Sequence, residues 1–366
     1  MPYVDRSVAP QAGVPLGPLT TLGVGGSARW FVSARSIEEA AAAIRWGADR
    51  QLPLFVLGGG SNLVIADHGF AGIVLHVAFA GVEFRPAVNA TAMRVGAGER
   101  WDAVVAASVS RGLAGLECLS GIPGTAGGTP IQNVGAYGQD VSRTITSVTV
   151  LDRATGATST LIGADCQFGY RTSRFKTTDA GRFLVCDVTF ELVVAPPTVD
   201  YPDVLSEFER RRIAAPTVTD AREAVLSVRR RKGMVIDSAD PDTRSVGSFF
   251  MNPVVPASHH ARLTSSGNGQ VPAYQVPDGG VKIPAAWLIE QAGFERGCQF
   301  GAAGLSSKHP LAIINRGGAT ARDVLALAVR IKRQVGDRFG IWLRPEPVFV
   351  GFDDDPDVAF LEEIRS

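Results

Sequence analysis

The sequence has few cysteines and no excess of charge of either sign, and each shortage excludes a class of protein. Its 366 residues include four cysteines, which are too few and too scattered for a disulfide framework or a zinc site. We therefore expect reduced thiols and no bound metal. Lysine plus arginine and aspartate plus glutamate both number 36, so we expect no overall electrostatic attraction to nucleic acid.

Long apolar runs are missing as well. No segment approaches the roughly 20 apolar residues of a membrane span. The first residues, MPYVDRSVAP, lack the apolar region of a signal peptide. The sequence therefore predicts a cytoplasmic protein without a nucleic-acid or membrane partner, and we expect a monomer.

Several nucleotide-binding and hydrolase motifs are also absent. Gly-x-Ser-x-Gly, which is typical of serine hydrolases, does not occur. The triplet Gly58–Gly60 is not followed by the Gly-Lys-Ser/Thr of a phosphate-binding loop, and it does not open a helix as Gly-x-Gly-x-x-Gly. Neither a P-loop protein nor a Rossmann dehydrogenase follows from these residues.

The composition nevertheless favours a folded protein of about two or three domains, because 45% of the residues are apolar. Strands and helices alternate irregularly. A Ser36–Glu39 capping box predicts a helix over 37–49, and an Asp220–Glu223 capping box predicts one over 220–232. We expect a strand pair around Ile341–Val350. The acidic tail, residues 353–366, is expected to be peripheral.

Six glycines fall in residues 120–138, SGIPGTAGGTPIQNVGAYG, which we call the glycine-rich stretch. Glycine permits positive φ and a close approach of backbone to a bound group. The stretch is therefore predicted to present main-chain N–H and C=O groups to a large ligand. Its predicted apolar anchors argue against a disordered loop: Leu116, Leu119, Ile122, Ile131 and Val134.

A second glycine cluster, Gly58–Asn62, follows a strand predicted over residues 54–57. Consecutive N–H groups there would suit a pyrophosphate, with Ser61 and Asn62 as further donors. An ordinary turn explains the cluster equally well.

Three side chains elsewhere could carry chemistry. Arg171, in GYRTSRFK, could clamp a carboxylate, although a solvated basic loop explains the pattern more simply. Ser248, in GSFFMNP, could be a nucleophile or a proton donor, or could belong to a capped turn. Glu346 is held between two prolines and could act as an acid, or could be an exposed residue at a strand end.

Together these segments resemble one family, the UDP-N-acetylenolpyruvoylglucosamine reductases. The family's motifs occur here in the expected order over about residues 15–352: PLGPLTTLGVGG, LGGGSNLVIAD, GLECLSGIPGTAGGTPIQNVGAYG, GYRTSRFK, GSFFMNP, PDGGVKIPAAWLIEQAGF and LRPEPVFVG. The likeness is to the longer of two family types, which carries a tyrosine on a flap.

The resemblance implies an α+β fold. It implies a two-lobed FAD-binding domain of the vanillyl-alcohol-oxidase type over 15–215, with lobes of about 15–90 and 91–215. A C-terminal α+β substrate-binding domain would occupy 216–352.

The implied activity is an NADPH-dependent reduction through non-covalently bound FAD. The substrate would be UDP-N-acetylglucosamine enolpyruvate and the product UDP-N-acetylmuramate, a precursor of cell-wall peptidoglycan. Two alternatives are another FAD-dependent sugar or hydroxy-acid oxidoreductase, and a binding protein that has lost catalysis. No histidine accompanies Gly58–Gly60, so a covalent flavin link through such a residue is not expected.

The resemblance also implies roles for individual residues. Arg171 and Glu346 match residues that stabilise an enol-carboxylate, and Ser248 matches a proton donor. The implied substrate-binding residues are Tyr201 on the flap, Lys232, Asn252, Tyr274 and Lys282. The implied FAD-binding residues are Gly58, Gly59, Gly60, Ser61, Asn62, Ser120, Gly121, Ile122, Pro123, Gly124, Gly127, Gly128, Asn133, Gly135, Ala136 and Tyr137.

Overall fold

The computed structural model describes residues 9–265, 270–276 and 279–364. The strands are β1 (Gln11–Pro15), β2 (Ser27–Ala34), β3 (Leu54–Leu57), β4 (Leu63–Ile65), β5 (Phe70–Val77), β6 (Val82–Ala87), β7 (Ala90–Gly96), β8 (Leu113–Ala114), β9 (Gly135–Ala136), β10 (Gln139–Asp140), β11 (Ile145–Asp152), β12 (Thr158–Ile162), β13 (Phe183–Val194), β14 (Val254–Val255), β15 (Tyr274–Gln275), β16 (Val281–Lys282), β17 (Gln299–Phe300), β18 (Ala303–Leu305), β19 (Ile313–Asn315) and β20 (Val348–Val350). The helices are α1 (Ile37–Ala48), α2 (Trp101–Val109), α3 (Pro202–Arg211), α4 (Val218–Arg231), α5 (Ala257–Ser265), α6 (Ala285–Gln291), α7 (Ala321–Phe339) and α8 (Pro356–Glu362). No helix in these ranges is long and apolar enough to cross a membrane.

The chain divides into two compact units, each built from separate segments. Of the described residues, unit 1 contains 9–14, Ala28–Gly60 and Ala71–Val235. Unit 2 contains Pro15–Ser27, Ser61–Phe70 and the described residues from Ile236 onward. These units are defined by packing, and the functional domains expected at 15–215 and 216–352 stay a prediction.

The described part of unit 1 contains two larger sheets, beside the short pair of β9 and β10. One has the strand order β1-β2-β5-β3, with β3 and β5 parallel. The other is antiparallel, in the order β12-β11-β13-β7-β6, and β8 also pairs with β13. Helix α2 packs its buried face on the second sheet, where the Trp101 and Phe190 rings lie 5.6 Å apart. Trp101 is the first residue of α2, and the next residue, Asp102, contacts the glycine-rich stretch. The packing of Trp101 therefore also fixes the position of that contact.

Unit 2 surrounds the long helix α7, whose buried residues pack with α6 and the strands β18 and β19. Two small antiparallel sheets, β14-β16-β15 and β17-β18-β19, belong to this unit. The strand pair expected around Ile341–Val350 is not formed. Instead, Val348–Val350 pairs in parallel with Leu63–Ile65. The prolines at 345 and 347 prevent a continuous local ladder because proline has no N–H to donate.

Two expectations for the helices are corrected. Helix α4 begins at Val218, two residues before the predicted start at Asp220, because the capping box is formed by Thr217 and Asp220. Asp220 accepts from the Thr217 N–H at 2.8 Å, and Thr217 Oγ1 accepts from the Asp220 N–H at 3.2 Å. The acidic tail is not merely peripheral, because Val358 and Leu361 of α8 are buried in the core of unit 2. Buried Lys332 donates to main-chain carbonyls at the end of α8, including that of Leu361 at 2.7 Å.

A buried carboxylate joins helices α3 and α4 of unit 1. Glu207 is only 2% exposed. It accepts hydrogen bonds from Arg210 at 2.5 Å, from Arg211 at 3.0 Å and from Arg231 of α4 at 2.9 Å. The bond from Arg210, supported by the other donors, outweighs burial and lowers the pKa of Glu207 to about 2.

We expect Glu207→Gln to lower the free energy of unfolding at pH 7 by about 2 kcal/mol, the usual contribution of hydrogen bonds to a charged group. The folded-state pKa lies below the unfolded value, so this contribution is present above pH about 4.5 and is lost as the pH falls toward about 2. The difference between wild type and variant should therefore shrink on acidification, as measured by urea denaturation at pH 7 and pH 3. Glu209→Gln, an exposed site on the same helix, is the control. An equal loss in both variants would contradict the assignment.

Candidate active site

The glycine-rich stretch is fastened along residues 97–102 of unit 1. The Gly121 N–H donates to Asp102 Oδ1 at 2.6 Å, and the Gly127 N–H donates to the Ala97 carbonyl at 2.9 Å. The Gly124 carbonyl accepts from the Trp101 N–H at 3.0 Å. Several main-chain groups that were predicted to face a ligand thus form hydrogen bonds within unit 1 and hold the stretch in place. The ligand-facing groups are fewer than the glycine count suggested.

The predicted apolar anchors are confirmed with one exception. Leu116 and Leu119 are fully buried, and Ile122 and Val134 pack against the core of unit 1. The side chain of Ile131, however, is 39% exposed, so the prediction that it anchors the stretch is wrong. The anchoring group is its main chain, because its carbonyl accepts from Ser173 Oγ at 2.6 Å.

The two glycine clusters lie against each other. A Cβ added to Gly59 would stand 2.6 Å from Gly124 Cα and 2.8 Å from Gly124 C. A Cβ added to Gly58 would stand 3.0 Å from Thr125 Oγ1. Glycine is required at position 59 because no side chain fits between the two backbones. Gly58–Gly60 and the glycine-rich stretch therefore form one backbone-lined surface.

This surface has the donors and the space that an acceptor-rich cofactor needs. A Cβ added to Gly128 would meet nothing within 4 Å, so the stretch leaves room at that point. Arg229 of α4 approaches Gly121, and its Nε atom is buried without a hydrogen-bond partner in the described part of the chain. Phosphate or flavin oxygen and nitrogen atoms suit such a donor. The residues present therefore fit FAD.

Arg229 was not predicted from the sequence. Its guanidinium donates to the Met234 carbonyl at 2.7 Å and interacts with the Tyr137 hydroxyl. Burial raises the pKa of Tyr137, so its hydroxyl stays protonated at neutral pH. The sequence held one signal for Arg229: it lies three residues, about one helical turn, before Lys232, which was predicted to bind substrate.

Other predicted FAD residues serve mainly to shape the surface. Ser120 is fully buried and its hydroxyl donates to the Glu117 carbonyl at 2.6 Å. Asn133 uses its side chain to bond Gly169 O and the Ser142 N–H. Gly135 and Ala136 form β9, the first strand of a hairpin with β10. Ile122, Pro123 and Gly124 are partly exposed within the stretch.

Arg171 lies in a tight turn that is bonded to the glycine-rich stretch. The bridge between Gly169 and Thr172 closes the turn, and Asn133 Nδ2 donates to the Gly169 carbonyl at 3.0 Å. Arg171 itself has φ +54°, which is unusual for a residue with a side chain. Its guanidinium would stand 3.4 Å from a Cβ on Gly135. Unit 1 thus holds a cation beside the backbone-lined surface.

Ser248 and Glu346 lie on neighbouring backbone segments of unit 2. The Glu346 N–H donates to the Phe249 carbonyl at 2.9 Å, and Phe250 forms a bridge with Pro345. Asn62 Nδ2 donates to the Glu346 carbonyl at 3.1 Å. Ser248 and Glu346 are both half-buried. Unit 2 therefore brings these two predicted catalytic residues and Asn62 together, while Arg171 belongs to unit 1.

Tyr201 and Lys232 are brought together in unit 1. Tyr201 is the N-cap residue of α3, and its ring meets the Tyr137 ring edge-on at 5.1 Å. Lys232 is the C-cap residue of α4, and its Nζ lies 2.5 Å from Asp203 Oδ2. Two predicted substrate residues thus lie at the edge of the glycine-rich stretch.

Unit 2 holds the other predicted substrate residues. Tyr274 of β15 and Lys282 of β16 are direct cross-strand partners, so their side chains share one face. Asn252 Oδ1 accepts from the Ala285 N–H at 2.9 Å and satisfies the first amide of α6. This bond gives Asn252 a structural task, and its contact with substrate stays a prediction.

The backbone-lined surface with its buried arginine donor, on antiparallel and mixed sheets, belongs to a flavin-binding domain, as a comparison with family models shows. The family model described as "FAD binding domain" matches residues 28–161. The model for the C-terminal domain of UDP-N-acetylenolpyruvoylglucosamine reductase matches residues 240–350. The expected α+β fold, with an FAD-binding domain followed by a second domain, is confirmed. The assignment of the FAD domain to the vanillyl-alcohol-oxidase type stays a prediction.

Relatives extend this likeness to nearly the whole chain. The UDP-N-acetylenolpyruvoylglucosamine reductase of Thermobifida fusca is 49% identical over 92% of this chain and 97% of its own length. That of Streptomyces avermitilis is 47% identical over 93% and 94%. The crystal structure of the enzyme from Thermus caldophilus has a TM-score of 0.63 at 26% identity, covering 93% of this chain and 99% of that one. The chain belongs to the UDP-N-acetylenolpyruvoylglucosamine reductase family and is an oxidoreductase of the UDP-N-acetylmuramate dehydrogenase class.

Proposed function

We propose that the chain reduces UDP-N-acetylglucosamine enolpyruvate to UDP-N-acetylmuramate with NADPH, in the cytoplasmic synthesis of cell-wall peptidoglycan. The observation that carries the proposal is the pairing of Ser248 and Glu346. Backbone bonds hold the serine of GSFF beside the glutamate of Pro-Glu-Pro. An oxidase removes hydride and a proton from its sugar or hydroxy-acid substrate, so it has no need of a proton donor and an acid placed side by side. FAD, bound non-covalently, would supply hydride transfer from NADPH to the vinyl carbon.

The side chains have separate tasks in this reaction. Hydride addition to an enolpyruvyl group builds negative charge on its carboxylate, and Arg171 is the cation proposed to stabilise that charge. Ser248 Oγ–H is proposed to protonate the adjacent carbon. Glu346 assists only when protonated or through a hydrogen-bonded partner, since a bare carboxylate would repel the enolate.

Binding tasks are assigned to other residues. Gly58, Gly59, Gly60, Ser61, Asn62 and the glycine-rich stretch are proposed to hold FAD, with Arg229 as an additional donor. Tyr201, Lys232, Asn252, Tyr274 and Lys282 are proposed to bind the nucleotide sugar. Lysine suits phosphate as a compact charge with three donors, and tyrosine adds a hydroxyl and a ring face.

A two-step absorbance experiment tests the proposal. We expect anaerobic NADPH to bleach the visible flavin band of the purified protein, and UDP-N-acetylglucosamine enolpyruvate to restore it. UDP-N-acetylglucosamine, which lacks the enolpyruvyl group, is the control and should not restore the band. Bleaching of the flavin by a sugar or hydroxy acid in place of NADPH, or no recovery with the enolpyruvyl nucleotide, would contradict the proposed substrate.

A further inference from the structure

The ion pair between Lys232 and Asp203 joins the ends of two helices in unit 1. Lys232 closes α4, and Asp203 lies in the first turn of α3. The Lys232 Nζ–Asp203 Oδ2 distance is 2.5 Å, so the pair is a direct charge-assisted hydrogen bond. The Lys232 side chain is 34% exposed and the Asp203 side chain 45%. Both groups are therefore accessible to an incoming ligand.

The pair is placed beside the predicted flap residue. Tyr201 precedes Pro202 and Asp203, and all three form the start of α3. The Tyr201 ring contacts the Tyr137 ring of the glycine-rich stretch at 5.1 Å. One short segment thus carries both the flap tyrosine and the counter-ion of the phosphate-binding lysine.

The negative charge of Asp203 opposes the binding of a phosphate to Lys232. Burial lowers the pKa of Lys232, but the hydrogen bond and charge of Asp203 outweigh it and leave that pKa raised, so Lys232 is fully cationic at neutral pH. A phosphate oxygen within bonding distance of Nζ would stand close to the Asp203 carboxylate. Two like charges at such a separation repel each other.

We propose that Asp203 is a positioning residue that holds Lys232 and competes with a phosphate group for it. The inference rests on the proposed role of Lys232 in nucleotide binding. A ligand diphosphate takes Lys232 by displacing Asp203, and the returning carboxylate favours release. Asp203 therefore weakens binding and, through Tyr201 on the same turn, couples release of the lysine to the flap segment.

Binding of UDP to the flavin-loaded protein tests the inference by isothermal titration calorimetry. Asp203→Asn removes the charge but keeps a similar shape and an oxygen acceptor. We expect this variant to bind UDP roughly five- to fifty-fold more tightly, the range for removing one like charge at close distance. Glu209→Gln removes the same charge from an exposed position on α3 and should change affinity less than two-fold. Asp203→Ser is a second variant, because serine also suits the start of a helix.

The Lys232→Met background separates the possible outcomes. Lys232→Met should weaken UDP binding, and Asp203→Asn should then have no further effect in the double variant. The KM for the enolpyruvyl nucleotide should fall in Asp203→Asn with a smaller change in kcat. Unchanged or weaker binding in both Asp203 variants, with Lys232→Met weakened, would overturn the inference and leave the proposed function intact. No effect of Lys232→Met would overturn both the lysine's role and this inference.

Discussion

Replacing Ser248 by alanine is expected to slow reduction of the enolpyruvyl nucleotide about a hundred- to a thousand-fold, the usual effect of removing one preorganised donor from a transition state. Flavin reduction by NADPH should stay near the wild-type rate, because that half-reaction needs no proton from this hydroxyl. Ser248 is half-buried beside fully buried Phe249 and nearly fully buried Phe250. The loss of one oxygen atom should therefore cost little stability.

Stopped-flow absorbance separates the two half-reactions. Anaerobic mixing with NADPH measures the first, and mixing reduced protein with the enolpyruvyl nucleotide measures the second. Ser265→Ala, at an exposed site near the end of α5, is the matched control and should leave both rates unchanged. Ser248→Cys keeps a donor at this position and should retain part of the second rate. Equal slowing of both half-reactions by Ser248→Ala would refute the proton-donor role.

Replacing Gly59 by alanine is expected to remove most of the bound flavin. The added methyl would stand 2.6 Å from Gly124 Cα, which is backbone and cannot rotate away. The two glycine clusters must then separate, and overpacking of this kind typically costs about 1–3 kcal/mol. Because both clusters form the proposed FAD surface, FAD affinity should fall roughly five- to 150-fold, which is the same free energy expressed as a change in binding constant.

Gly128→Ala provides the matched comparison for the steric argument. It adds the same methyl within the same stretch, where no atom lies within 4 Å. The melting temperature of the flavin-free protein should fall in Gly59→Ala and stay unchanged in Gly128→Ala. Flavin content after purification, read from the ratio of visible to ultraviolet absorbance, completes the measurement. Full flavin content in Gly59→Ala would show that the two clusters need not touch.

Local signals in the sequence predict the regular elements well. The strand alternation in β11 and the alanine-rich repeat of α1 each concern residues that are near one another in sequence. Ser36 begins α1 as expected, with its Oγ accepting from the Glu39 N–H at 3.2 Å. Helix α4 shows the limit of such signals. Asp220 can serve as an N-cap or as the third residue of a box, and Thr217 decides between them.

Features that depend on distant pairing were not predictable in the same way. Asn252 is predicted to bind substrate, yet its Oδ1 accepts a hydrogen bond from Ala285, the first residue of α6, 33 positions later in the chain. Arg171 and Tyr137 both have positive φ, which their residue types disfavour, so no propensity reveals their turns. The proposed roles of Arg229 and Asp203 follow only from their neighbours in space, because Arg229 lies against Gly121 and Asp203 pairs with Lys232. Residues of the candidate site were predicted by motif, whereas the groups that position them required the fold.

The parallel pairing of β4 with β20 has a consequence for synthesis of the protein. Strand β4 is made long before its partner β20, because nearly the whole of the chain between Ile65 and Val348 separates them. Until β20 has left the ribosome, the β4 edge has no native partner, and an open strand edge invites wrong pairing. This part of unit 2 therefore forms late during synthesis. The β4 edge is exposed to aggregation for as long as the residues between the two strands are being made.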